Sequence, residues 1–206
     1  MIFSIFSMID ISSFATNSNS GEWKQNSNGY WYQHDDGTYT TNNFERINYS
    51  WYYFNESGYM LANTWKNVNG SYYYLKDWGG MATGGWNYIN GVYYYMNESG
   101  SMYTGWLNLD GTYYYLADWG GMETGWQYIN NNWYYMNYSG AMQTGWLNLG
   151  GTYYYLADWG GMETGWQYID NNWYYMNSSG YMQTGWLYLY GTWYHLAACV
   201  HSAPVC

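Results

Sequence analysis

An aromatic residue opens a similar segment nine times along this chain, at Trp23, Phe44, Trp65, Trp86, Trp106, Trp126, Trp146, Trp166 and Trp186. The steps are 21 residues long up to Trp86 and 20 residues long afterwards. A 40-residue period overlies the first: 106–145 and 146–185 differ only at Asp110/Gly150, Asn130/Asp170, Tyr138/Ser178 and Ala141/Tyr181. Units therefore alternate between one containing "YYYLADWGGM" and one containing "WYYMNxSGxM". A unit this short cannot bury an apolar face alone, so such repeats form stacks in which each unit covers its neighbour.

Each unit reads as a β-hairpin. With the opening aromatic numbered 0, positions +4 and +5 carry Asn69-Gly70, Asn90-Gly91, Asp110-Gly111, Gly150-Gly151, Asn130-Asn131 and Asp170-Asn171. Such pairs tolerate the positive φ that both residues of a type I′ turn require. Pairing across this turn sets 0 opposite +9, +1 opposite +8, +2 opposite +7 and +3 opposite +6. Strand side chains alternate between faces. One face of the Trp106 hairpin then carries Trp106, Asn108, Tyr113 and Tyr115; the other carries Leu107, Leu109, Thr112, Tyr114 and Leu116. The second face supplies an aliphatic core and the first an aromatic surface. A Gly-containing loop, a Met at +16 and Thr-Gly follow the hairpin. The expectation is an all-β solenoid of about nine stacked hairpins, one per 20–21-residue repeat. It spans 21–196, between a leader at 1–20 and an irregular tail at 197–206.

Composition narrows the function. Aromatics make up 26% and charged residues 9%, with 32 Tyr and 16 Trp. Disorder goes with the opposite balance. Tyr and Trp favour pleated surfaces, and 26 Gly weaken helices. Lys plus Arg is 4 against 14 Asp plus Glu, a net charge of −10. That argues against nucleic acid and anionic membrane surfaces, which call for basic patches, and it suits a cationic ligand. No apolar run approaches the roughly 20 residues of a transmembrane helix. The start, "MIFSIFSMIDISSFATNSNS", is apolar enough for a secretory signal, but it has no Lys or Arg and Asp10 interrupts it. A signal and a non-signal leader both stay open.

The aromatic face has a specific chemistry. Positions 0 and +7 share a face within diagonal reach of one another. Two rings there, a third from the next hairpin and the thioether of a loop Met would form a partly open box. Such a box suits a quaternary ammonium through cation–π attraction, roughly 0.5–2 kcal/mol per ring. The competing reading takes the rings as sheet and core packing. On either reading the +8 Tyr, on the aliphatic face, are expected to be mostly core.

The unit "TGWQYINNNWYYMNYSGAMQTGW" resembles the choline-binding repeat, also called the cell-wall-binding repeat, of bacterial surface proteins. That family has a Gly-Trp opening, a turn, a Trp-Tyr-Tyr triplet and then Gly-x-Met-x-Thr-Gly. The resemblance covers residues 21–196 and is strongest from 84 to 196. It implies a secreted protein of the bacterial surface that holds choline or phosphocholine of teichoic and lipoteichoic acids between successive hairpins. The implied choline-binding groups are Trp86 with Tyr93, Met102 and Tyr114; Trp106 with Tyr113, Met122 and Tyr134; Trp126 with Trp133, Met142 and Tyr154; Trp146 with Tyr153, Met162 and Tyr174; and Trp166 with Trp173, Met182 and Tyr194. The last Tyr of each group belongs to the following hairpin.

Departures from the pattern matter. Tyr replaces Trp at +7 in alternate units, and Phe44 replaces Trp. The Gly of Gly-Trp is missing before Phe44 and Trp65, and the first unit has "YWY" at 30–32 and no loop Met. No group before Trp86 is therefore carried over. At the far end "LAACVHSAPVC" stands where "LADWGGM" is expected. Family members often carry a catalytic domain, and none is expected within these residues.

Other chemistry is weaker. Asp77, Asp118, Asp158, Glu123 and Glu163 repeat with the units, so they read as solvated loop residues that lend negative potential. The Asn-x-Ser sequons at Asn48, Asn55, Asn69, Asn97, Asn137 and Asn177 read as turn residues. Cys199 and Cys206 could close a small disulfide, or hold a metal with His195 and His201. No ligand spacing matches a zinc pattern, so a tail without a role is the expectation. No cofactor, metal or catalytic residue is assigned. Two further classes stay open: a glucan- or other carbohydrate-binding array, with Asn108, Asn148 and Gln127 as polar partners, and a structural spacer or adhesin scaffold. The Met in each complete loop favours choline.

Overall fold

The computed structural model describes residues 16–18 and 20–197. Cys199, Cys206, His201 and the apolar N-terminal segment lie outside them. Every regular element among the described residues is a β-strand, and eighteen of the nineteen strands form nine antiparallel hairpins. The remaining strand, Thr16–Ser18, pairs in parallel with Asn43–Ile47. Part of the segment assigned to the leader thus joins the Phe44 hairpin as a third strand.

Register follows from turn chemistry. In the Trp126 hairpin, Trp126 lies opposite Tyr135, Gln127 opposite Tyr134, Tyr128 opposite Trp133 and Ile129 opposite Asn132. The same offsets recur in the hairpins of Trp65, Trp86, Trp146, Trp166 and Trp186. Both turn residues have positive φ, as at Asn130 and Asn131 (50° and 66°) or Asp170 and Asn171 (49° and 65°). Two turns do this with Tyr: Tyr49 sits at φ 69° and Tyr190 at 49°. The first hairpin closes differently. Ser27 and Asn28 avoid positive φ, and the Asn28 N–H donates to Asn26 Oδ1 at 2.8 Å. The extra residue of the 21-residue steps is accommodated by one left-handed residue, Asn42, Asn63 or Gly84 (φ 45°, 50° and 54°).

The chain forms two compact units. One runs to Gly105 and includes Asp118–Gly121; the other comprises Trp106–Ala117 and the chain from Met122 onward. In the first, small clusters form the core: Phe44, Tyr53, Tyr73, Leu75 and Met81 make one, and Tyr74, Ala82, Ile89 and Met96 another. In the second, Ile169, Tyr174 and Met176 pack together. The residue at +10 is fully enclosed at Leu75, Met96, Leu116, Met136, Leu156 and Met176. Of the face expected to be aliphatic core, Leu107 and Leu116 are buried, whereas Leu109, Thr112 and Tyr114 are only partly so. The +8 tyrosines only partly follow. Tyr73 and Tyr174 are buried, but Tyr94, Tyr134 and Tyr154 remain partly exposed, although all five reach across to the preceding hairpin.

The loop Met fastens each hairpin to the one before. The N–H of Met102 donates to Tyr72 O, Met142 to Tyr113 O, Met162 to Trp133 O and Met182 to Tyr153 O, each at 2.8 Å. Each loop therefore lies along the second strand of the preceding hairpin. Gly160 shows why the loop needs glycine there. Its φ is +91°, and a Cβ would overlap the Met142 thioether. The sequon asparagines serve the same loops: Asn137 Oδ1 accepts from the N–H groups of Ser139 and Ala141 at 2.9 and 3.0 Å.

Candidate functional site

Alternation along the strand puts the rings at 0, +7 and +9 on one face, and the stack brings the +8 Tyr of the following hairpin against them. At Trp126, Trp133 stands 6.4 Å away at 88°, Tyr135 5.2 Å away at 70°, and Tyr154 4.9 Å away at 57°. Trp106 meets Tyr113 at 6.5 Å, Tyr115 at 5.2 Å and Tyr134 at 4.8 Å. Trp166 meets Trp173 at 6.3 Å, Tyr175 at 5.3 Å and Tyr194 at 5.0 Å. Trp146 meets Tyr155 at 5.3 Å and Tyr174 at 4.8 Å. Near-perpendicular rings with one open side form a corner, and Trp133 is 43% exposed, so the corner faces solvent. At Trp86 the corner is made with Tyr93 at 6.5 Å and 90°; Tyr114 and Met122 belong to the second unit.

The loop Met comes from one unit further along than the sequence spacing indicates. Trp146 shares its cluster with Tyr155, Tyr174 and Met182, and Trp65 shares its cluster with Tyr94 and Met102. Backbone bonds repeat this pairing at Tyr113 with Met142 and at Trp133 with Met162. Met142 thus accompanies Trp106, Met162 accompanies Trp126, Met182 accompanies Trp146, and Met102 accompanies Trp65. The cause is the loop's return along the preceding hairpin, which spacing alone does not encode.

Two groups before Trp86 share the contact with the next hairpin's +8 Tyr but pair with the ring at +9 rather than the one at +7. Trp65 meets Tyr94 at 4.8 Å, and Trp23 meets Tyr52 at 5.0 Å. The Phe44 group differs in having no open side. Phe44 and Tyr73 are each 1% exposed and Met81 packs with them, so this position is filled core. Sequence reasoning also passed over the residues that back the third wall. Trp159 lies edge-on to Tyr134 at 5.8 Å, Trp119 to Tyr94 at 6.0 Å, and Tyr181 to Tyr154 at 5.3 Å. The recurrence of Trp119 and Trp159 in every second loop was the available signal.

Electrostatics fits a cation. Burial pushes the hydroxyl pKa of Tyr134 up. Burial and then Tyr181 raise Tyr154, and burial followed by Asp158, Asp170 and Glu163 raises Tyr155. These walls stay neutral and π-rich at ordinary pH, with carboxylates nearby. The Gln127 and Gln167 amides hold Glu123 and Glu163, each at 3.2 Å.

Residues 123–162 and 163–198 match the choline-binding repeat family, and 42–60, 63–81, 84–102 and 104–122 match the cell wall binding repeat family. CbpJ from Streptococcus pneumoniae TIGR4 is 30% identical, with a TM-score of 0.54 over 86% of this chain and 85% of CbpJ. This chain belongs to the choline-binding repeat family. Choline binding protein F of Streptococcus pneumoniae, solved in the presence of a peptidoglycan analogue, is 38% identical with a TM-score of 0.68. That likeness covers 76% of this chain and 56% of choline binding protein F, so the chain spans just over half of that relative. The modular autolysin LytC from the same organism is 30% identical, with a TM-score of 0.55 over 80% of this chain and 39% of LytC. No curated protein sequence matches the chain.

Among the described residues no group of three or more His, Cys, Asp or Glu is placed to hold a metal. No helix there is long and apolar enough to cross a membrane, which says nothing of a β-barrel. His34 and Glu45 lie together, with Nε2 to Oε1 at 2.8 Å, and tie the first hairpin to the second.

Proposed function

We propose that this chain is a secreted, non-catalytic module that attaches to the bacterial cell wall by caging the choline of teichoic or lipoteichoic acids. Each cage takes the Trp at 0 and the aromatic at +7 of one hairpin, the +8 Tyr of the next and the Met of the next hairpin's loop. The observation that carries the reading is the Trp126 corner: two indoles at 88° with Tyr154 4.9 Å from Trp126. Rings set around an open corner present their negative faces to a trimethylammonium, which has no strong hydrogen-bond donor to be satisfied. Family membership and the net charge of −10 support the same ligand.

Choline titration followed by tryptophan fluorescence tests this. Saturable change at millimolar choline, with no response to ethanolamine, which lacks the three N-methyl groups, at the same concentration, is expected. Equal response to both compounds, or none to choline, contradicts the proposal.

A further inference from the structure

The residue at +1 lies opposite the +8 Tyr and shares its face, the face turned toward the preceding hairpin. Lys66 lies opposite Tyr73, as Gln127 does opposite Tyr134 and Gln167 opposite Tyr174. From the third hairpin onward this position holds Lys66 and then Asn87, Leu107, Gln127, Leu147, Gln167 and Leu187. Lys66 is the one cation among them. Lys24 holds the same position in the first hairpin, where no described hairpin precedes it, and its ammonium pairs with Glu22.

Lys66 Nζ stands 4.5 Å from the ring centroid of Tyr53, the +9 residue of the Phe44 hairpin. The other parts of a cage surround it. Phe44 meets Tyr53 at 4.9 Å, and it meets Tyr73 of the next hairpin at 4.9 Å. Trp126 meets its own +9 ring and the next +8 Tyr at 5.2 and 4.9 Å. Trp51, at +7, and Met81, of the next loop, pack on the same cluster. The Met81 N–H donates to Trp51 O at 2.7 Å, the bond that Met162 makes to Trp133. The walls are therefore all present at Phe44, and so is a cation, supplied by the chain.

We propose that the Phe44 cage is occupied from within: the Lys66 ammonium lies where a ligand's ammonium would lie, and it shuts this position to choline. An ammonium over a tyrosine face is held by the same cation–π attraction as a trimethylammonium. Being tethered to the next hairpin, it acts at a high local concentration, against which a weakly bound free ligand competes poorly. The joint between the second and third hairpins is then closed without ligand, whereas the Trp126 corner is left open for one. At the same position Gln127 and Gln167 carry no charge and turn to Glu123 and Glu163 instead. The inference rests on the cage reading for what the Phe44 position would otherwise hold.

Choline is the probe, and two variants test the tether. Lys66→Ala removes the ammonium and its stem, whereas Lys66→Met keeps a long side chain without the charge. Nuclear Overhauser contacts are measured from the choline methyls to the rings of Tyr53 and Tyr73. The wild-type chain and Lys66→Met should show none. Lys66→Ala should show both, bind one more choline per chain, and gain more in melting temperature from choline than the wild type does. In the wild type, the ε-methylene signal of Lys66 should lie upfield of its position in the unfolded chain, because it sits over a ring face. If Lys66→Ala does not fold, that signal and the wild-type contacts decide. Choline contacts to Tyr53 in the wild type, none in a folded Lys66→Ala, or an unshifted Lys66 signal overturns the inference. Contacts that appear in Lys66→Ala while choline leaves Trp126 unaffected keep the inference and remove the proposed function.

Discussion

Met162→Ala tests which methionine completes which cage. The backbone bond from Met162 N–H to Trp133 O, 2.8 Å long, places this loop at the Trp126 corner, although Met162 lies sixteen residues after Trp146. The change removes the thioether that this loop brings to the corner, and a thioether–ring interaction is worth about 0.3–1.5 kcal/mol, so choline affinity at that cage should fall roughly two- to tenfold. Met162 is only partly buried. The stability loss should therefore stay near or below the low end, about 2 kcal/mol, of measured Met→Ala losses in cores. Indole ¹⁵N signals of Trp126, Trp133 and Trp146 followed through a choline titration separate the cages. Trp126 and Trp133 should report the weakened site and Trp146 an unchanged one. Weakening reported by Trp146 alone would refute the assignment and restore the pairing read from spacing.

Three further outcomes are expected. Trp126→Ala should weaken choline at its own cage by about three- to thirtyfold, from loss of one cation–π wall. Tyr134→Phe at the neighbouring cage should cost less than that, because the hydroxyl is no part of the contact; equal losses in site-resolved titrations would remove Trp126 from the site. Tyr181→Ala restores what Ala141 already is in the preceding 40-residue period, and should loosen Tyr154 and weaken the Trp126 cage by about two- to threefold; unchanged affinity would show that Tyr181 does not support the wall. The folded chain keeps protons on Tyr134, Tyr154 and Tyr155 that the unfolded chain releases at the ordinary Tyr value. The unfolded state then binds fewer protons, so stability should fall as pH rises through about 10, with no such fall from these groups at neutral pH. Melting temperatures that stay level or rise across that range contradict it.

Much of this architecture could be read from residues alone. Asn130-Asn131 and Asp170-Asn171 announce their turns, and the turn fixes the register that sets Tyr128 against Trp133. The reach of Tyr154 to Trp126 was also legible, since one face of each hairpin must be covered by the next. What escaped is tertiary. The ownership of Met162 depends on a loop pairing with the preceding hairpin, and +16 spacing is equally compatible with either neighbour. Tyr49 and Tyr190 carry no turn signal, because bulky residues rarely take positive φ. Their neighbours' register forces them into it. Phe44 differs from Trp by one ring system, yet its surroundings close over it, a packing outcome that no local pattern announces.

Multivalent capture of choline is the proposed mode of attachment. Single cages are open and make no strong hydrogen bond, so each should bind on the order of millimolar. A polymer bearing many cholines makes later contacts intramolecular and the whole attachment tight. Retention should therefore be measured on choline-bearing and choline-free bacterial walls, for this chain and for one lacking residues 146–185, a full 40-residue period whose removal rejoins the flanks in register. Multivalent capture predicts firm retention on choline-bearing walls alone, release by millimolar free choline, and disproportionately weaker retention of the shortened chain at unchanged per-site affinity. Equal retention on choline-free walls, or equal retention of the two chains, contradicts it.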